Sequence, residues 1–123
     1  MKKKANNKPY WTQETDDALI LFNSTDDATV RNDIYNKILK KSVEKLAENK
    51  INGFRWDYIN ETFKDIQHEL LVFFIENAHK YNKDAGKGFS YFDVCFKNYL
   101  IIKNNEKLYD SIKFYNSLCL SIY

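Results

Sequence analysis

Two histidines, His68 and His79, are the first side chains to test for chemistry. They stand eleven residues apart on what reads as one helix, which at ~1.5 Å per residue separates them by roughly 16 Å. They share a side but cannot chelate one ion together. His68-Glu69 begins like the zinc motif HExxH, but position 72 is Val and the second ligand is missing. There is no GxSxG, P-loop or GxGxxG, and "GKG" at 86–88 is too short to cradle a phosphate. The acid pairs Asp16-Asp17 and Asp26-Asp27 fall where helices start, so capping explains them without acid/base work. Cys95 and Cys119 lack CxxC or His-rich spacing and read as reduced thiols. The expectation is a protein with no catalytic residues, no metal and no cofactor.

The segment "KYNKDAGKGFSYFDVCFKNYLI" offers a different chemistry. Phe89, Phe92, Phe96 and Tyr99 recur along one helix, interleaved with Ser90, Lys97 and Asn98. Such a stripe packs a core, and it equally suits single-stranded nucleic acid, because bases stack on rings for ~1–3 kcal/mol each. Spacing is the same in both cases. Some of these rings must be core whichever holds.

The elements that would position these residues follow from sparse punctuation. One proline and three glycines in 123 residues favour long helices. Thr12 is a plausible N-cap, with Glu14, Asp16 and Asp17 at the positive end of the dipole. "NSTDD" at 23–27 is a break, and a helix from Ala28 to about Lys50 carries Val30, Ile34 and Ile38, then Leu39, Val43, Leu46 and Ala47. Gly53 suits a left-handed C-cap. In "RWDYINET", Trp56 is expected to anchor a connector on the core. A third helix runs from about Thr62 to Tyr81: "LLVFFI" at 70–75 has strand propensity, but no breaker flanks it and Ile66, Leu70, Phe73, Phe74 and Ala78 keep helical spacing. Gly86 and Gly88 are free to adopt positive φ in the connection. Ser90 or a neighbour caps the aromatic helix, where Asp93 and Lys97 stand at i,i+4. A last helical piece follows "KNNEK".

Composition agrees with a globular chain. The apolar fraction is 44%, and the net charge of +2 is too small to announce a nucleic-acid binder. The leader "MKKKANNK" lacks a signal peptide's apolar stretch, and no segment reaches the ~18 apolar residues of a membrane span. The fold class expected is all-α: a basic disordered leader at 1–8, one compact helical domain at 9–108 with four to five helices, and a helical piece or tail at 109–123.

Order and spacing from Asp65 to Ile101 resemble region 2 of the sigma-70 family of transcription initiation factors. The matching features are Asp65 and Glu69, the apolar helix through Phe74, "HKY" at 79–81, Gly86, "FS" at 89–90 and Phe92. Residues 28–49 look like the preceding helix of that region. The opening "YWTQETDDALILFN" and the stretch "SYF…KNYLI" are closer still to late-transcription sigma factors of T-even-like bacteriophages.

The resemblance implies a sigma region 2-like fold and a protein in the cytoplasm, that of the host if phage-encoded. Asp65, Gln67, His68 and Glu69 would dock on the clamp helices of the largest subunit of RNA polymerase core. Phe89, Phe92, Phe96, Asn98, Tyr99 and Ile102 would meet the non-template strand of the promoter −10 element, with Phe92 holding a flipped adenine. Gly86 and Gly88 would let the loop fold back to aim Phe92 at that strand. Lys97 and Lys103 would contact phosphates. Cys95-Phe96 stands where primary sigma factors have tandem tryptophans, and the helix-turn-helix domain reading the −35 element is missing. A co-activator and a sliding clamp are therefore further partners that the resemblance suggests. The alternative is a polymerase-clamp-binding helical protein without DNA recognition.

Overall fold

Local capping chemistry sets where the helices begin. The computed structural model describes residues 9–53, 59 and 61–122, with side chains as far as 113 except 111. The leader 1–8 and the connector 54–58, with Trp56, lie outside the described residues. Helix α1 is Gln13–Ser24, and Thr12 stands at its N-cap, its N–H donating to the Thr15 hydroxyl at 3.1 Å. Asp27 caps α2, Ala28–Ile34, by accepting from the N–H groups of Thr29 and Val30. Thr62 caps α4, Phe63–Asn77, by accepting from the Asp65 N–H at 3.2 Å. Among the described residues there is no strand, so the chain is a helical domain as its sparse breakers imply.

Between Ala28 and Gly53 the chain forms one rod with a flaw in it. A π turn, Tyr35–Leu39, joins α2 to α3, Lys40–Gly53, and the Lys40 N–H reaches back to the Tyr35 carbonyl. The extra residue of a π turn shifts the apolar register by one. Ile34 and Leu39, five apart, are therefore both buried, whereas the intervening Ile38 is only partly covered. Val30, at the other end of the stripe, is exposed. Gly53 closes α3 in ordinary right-handed backbone. Of the described glycines only Gly86 has positive φ, at 99°.

Helix α4 runs into 3-10 turns at Ala78–Lys80 and Lys83–Ala85, after which α5 occupies Gly88–Ile122. At 35 residues α5 is roughly 52 Å long, and its backbone continues without a break through 108–109. The core lies where α1, α3, α4 and the first half of α5 meet, around Leu19, Leu39, Val43, Leu46, Leu70, Phe74, Phe92, Phe96 and Leu100, none with any exposed surface. Cross-ties fix the helices. Asn23 donates to the Ala78 carbonyl at 2.7 Å, Gln67 to the Glu44 carbonyl at 3.1 Å, and Arg31 lies over the Phe22 ring while donating to the Phe22 carbonyl. Lys50 on α3 pairs with Asp93 on α5 at 2.9 Å, so the Asp93 carboxylate serves an interhelical contact and not just its own helix. No described helix is long and apolar enough to cross a membrane.

Candidate nucleic-acid and polymerase interfaces

The aromatic helix divides into two faces. Phe92 is fully buried, with its ring centroid 4.8 Å from that of Phe74, 4.9 Å from Tyr91 and 6.1 Å from Tyr81. Phe96 is fully buried beside Phe73 at 6.1 Å. Neither offers a ring face to a base, which corrects the expectation that they stack on the open strand: their helical spacing serves the core. Tyr99 is half-buried, its ring 4.9 Å from Phe73 and its hydroxyl donating to Glu69 at 3.1 Å. Phe89 is partly exposed and meets the edges of Tyr10 and Trp11. Lys97 and Asn98 are exposed, as is Ile102.

Lys103 is the second correction. Its ammonium lies 3.0 Å from both the Glu61 and the Glu69 carboxylates, and its side chain is only 15% exposed. Burial alone would lower its pKa, but the hydrogen bonds to Glu61 and Glu69 outweigh that and hold it above the ordinary lysine value. Such a charge is already neutralised and cannot neutralise a phosphate without breaking two ion pairs. Burial, reinforced by the hydrogen bond to Glu69, raises the Tyr99 pKa as well. Glu69 is thereby paired within the molecule, although its side chain remains 32% exposed.

The other docking candidates separate in the same way. Asp65 and His68 are exposed, whereas Gln67 is half-buried and committed to the Glu44 carbonyl. Sequence reasoning missed that Val72 and Ile75 stand on the same outward side of α4 and are 38% and 42% exposed. The signal was available: 65, 68, 72 and 75 follow helical spacing while 66, 70, 74 and 78 hold the opposite face. A shallow groove between α4 and α5 is lined by His68, Glu69, Val72, Phe73, Glu76 and Tyr99.

The loop that leads into α5 owes its glycines to two different causes. At Gly86 the backbone turns left-handed, and its carbonyl accepts from the Tyr81 hydroxyl at 2.7 Å. Gly88 is there for close approach. A Cβ on it would lie 2.5 Å from Asp16 Oδ1 and 3.2 Å from Leu19 and Trp11. That space lets Asp16 Oδ1 accept from the Gly88 N–H at 3.1 Å and from the Trp11 indole at 2.8 Å. Asp16 thus supplies the N-terminal cap of α5 from another helix, and Ser90, expected to do so, sits inside the helix. The glycines set the start of α5, and they do not aim Phe92 outward.

Burial raises the Cys95 thiol above its usual pKa. Among the described residues no group of three His, Cys, Asp or Glu side chains could hold a metal ion. No protein-family model, curated protein or solved structure matches the chain.

Proposed function

We propose that the chain is a transcription factor of the sigma region 2 type, docking on RNA polymerase core through the outward face of α4. The observation that carries this reading is that face itself. Val72 and Ile75 stand in solvent, flanked by Asp65, His68 and Glu76, so an apolar centre with a polar, partly acidic rim awaits a partner helix. Apolar centres with polar rims are the anatomy of specific interfaces, and rim acids orient a basic partner. Promoter contact in this reading falls to the exposed edge of α5, with Phe89, Lys97, Asn98 and Ile102 meeting the −10 strand.

A second reading, clamp docking without base capture, is favoured by the burial of Phe92 and Phe96 and by the neutralised Lys103. One experiment separates the two. Core polymerase is captured on the tagged chain, and a single-stranded −10-like oligonucleotide is added. Polymerase retention lost in Asp65→Ala/Val72→Ser supports docking through α4. Oligonucleotide retained by the wild type and lost in Phe89→Ala supports promoter recognition. Polymerase bound without oligonucleotide leaves the clamp-binding reading, and no polymerase binding defeats both. Phe92→Ala is the wrong probe here, because emptying that core site costs about 3–5 kcal/mol of stability.

A further inference from the structure

We propose that the outward face of α5 is a self-association surface, pairing with the same face of a second copy as a parallel two-stranded coiled coil. The opposite face of α5 carries Phe92, Phe96, Leu100 and Lys103 into the domain. On the outward side Ile101, Asn105, Leu108 and Ile112 repeat at four-, three- and four-residue intervals. In the sequence the alternation runs on through positions 115, 119 and 122, and Val94 and Asn98 extend it backwards. This is a heptad seam with Ile101 and Leu108 at d, Asn105 and Ile112 at a.

Among the described residues the seam is largely open. Val94 is 55% exposed, Ile101 37% and Ile112 50%, while Asn105 is exposed and Leu108 half-buried. Ile102 and Tyr109, 58% and 65% exposed, flank it at e. Ile102, Asn105 and Tyr109 also line a shallow groove with Glu106 and Asp110.

Charge placement names the occupant. Between 101 and 113 the charged residues are Lys103, Glu106, Lys107, Asp110 and Lys113, and in this register they fall at f, b, c, f and b. None falls at a, d, e or g, so a second copy meets no like charge. Their mixed signs give neither phosphates nor an anionic surface a field to follow. Asn105 makes the match specific. An amide at a buried a position is satisfied by the same amide of a second copy in register, donor to acceptor, and a lone Asn at a selects paired strands in that register. A β-branched residue at a with Leu at d, as in Ile112 and Leu108, likewise favours two strands. This inference leaves the α4 docking face untouched. It draws on Asn98 and Ile102 of α5, which promoter contact would also use, so pairing and promoter contact on α5 exclude each other.

The test is the mass of the whole chain by light scattering and sedimentation across a concentration series. Expected is a concentration-dependent dimer, abolished by Ile101→Lys/Ile112→Lys and unchanged by Lys113→Glu, an exposed residue at b. Both altered isoleucines are solvent-exposed, so thermal unfolding of the domain should persist and will show that the variant is folded. Orientation is read from Ile101→Cys, which keeps Asn105, in a Cys95→Ser/Cys119→Ser background. Parallel in-register pairing predicts a disulfide-linked dimer on mild oxidation. A wild type monomeric at every concentration overturns the proposal. So does a dimer indifferent to the double lysine variant, or one that Ile101→Cys cannot cross-link.

Discussion

Gly88 has room for a hydrogen and nothing larger. Gly88→Ala should destabilise the fold by about 1–3 kcal/mol, as overpacking does, read as a lower midpoint in chemical denaturation. Asp16→Ala should cost a similar amount, because it strands the Trp11 indole and the Gly88 N–H without an acceptor. Asp16→Asn keeps an acceptor oxygen and should cost less than the alanine. Residues of this kind mark the limit of what spacing reveals. Thr12 and Asp27 were legible as capping residues, and Thr62 as a helix start, because a cap acts on its own helix. Asp16 looked like another local acid, and nothing within its neighbourhood says that its target lies at position 88. Phe92, Phe96 and Lys103 failed for a related reason: one helical period describes a core stripe and a binding stripe alike, and a lysine's partners come from other helices.

At the scale of the element, the rod from Ala28 to Gly53 carries its irregularity openly. The doublet Ile38-Leu39 breaks an otherwise four-residue rhythm, and the π turn absorbs that break so that Ile34 and Leu39 both reach the core. Removing Ile38 should therefore heal the rod into continuous α-helix, since 34, 39 and 43 would then fall four apart. The shortened protein should keep a cooperative thermal transition near that of the wild type. Removing Lys45 instead would swing Leu46 and Ala47 off the core, and should abolish the transition. The starts of α1, α2 and α4 were visible in the sequence because breakers and caps are local. The unbroken 35-residue course of α5 was not, as "KNNEK" has the composition of a connector while each of its residues is tolerated in a helix interior.

Across the whole molecule, burial holds several ionisable groups in the form they have at neutral pH. Burial, with Glu44 adding to it, raises the Tyr35 pKa to about 12. Burial also raises Tyr81, Tyr91 and Tyr99, and Lys103 is raised by its two glutamates despite burial. Each folded value exceeds the unfolded one, so the stability these groups contribute is intact below about pH 10. It is lost as pH climbs through the folded values. Thermal midpoints should hold steady from neutral pH to about 10 and then fall. Phenolate absorbance should show Tyr35, Tyr81, Tyr91 and Tyr99 ionising only as the fold opens. Ionisation of these four with no loss of stability would contradict this account.

The contact between Asp16 and Gly88 spans 72 positions of the chain, and that span has a consequence during synthesis. A ribosome delivers the chain from its N-terminus, so Trp11 and α1 emerge long before the backbone amide that Asp16 will hold. Arg31 and Ser42 can already tie α1 to the next two helices, but until Gly88 clears the exit tunnel Asp16 and the Trp11 indole wait without the amide that completes their site. The last closure of the domain therefore joins its beginning to a segment made late, and non-local contacts of this kind form slowly.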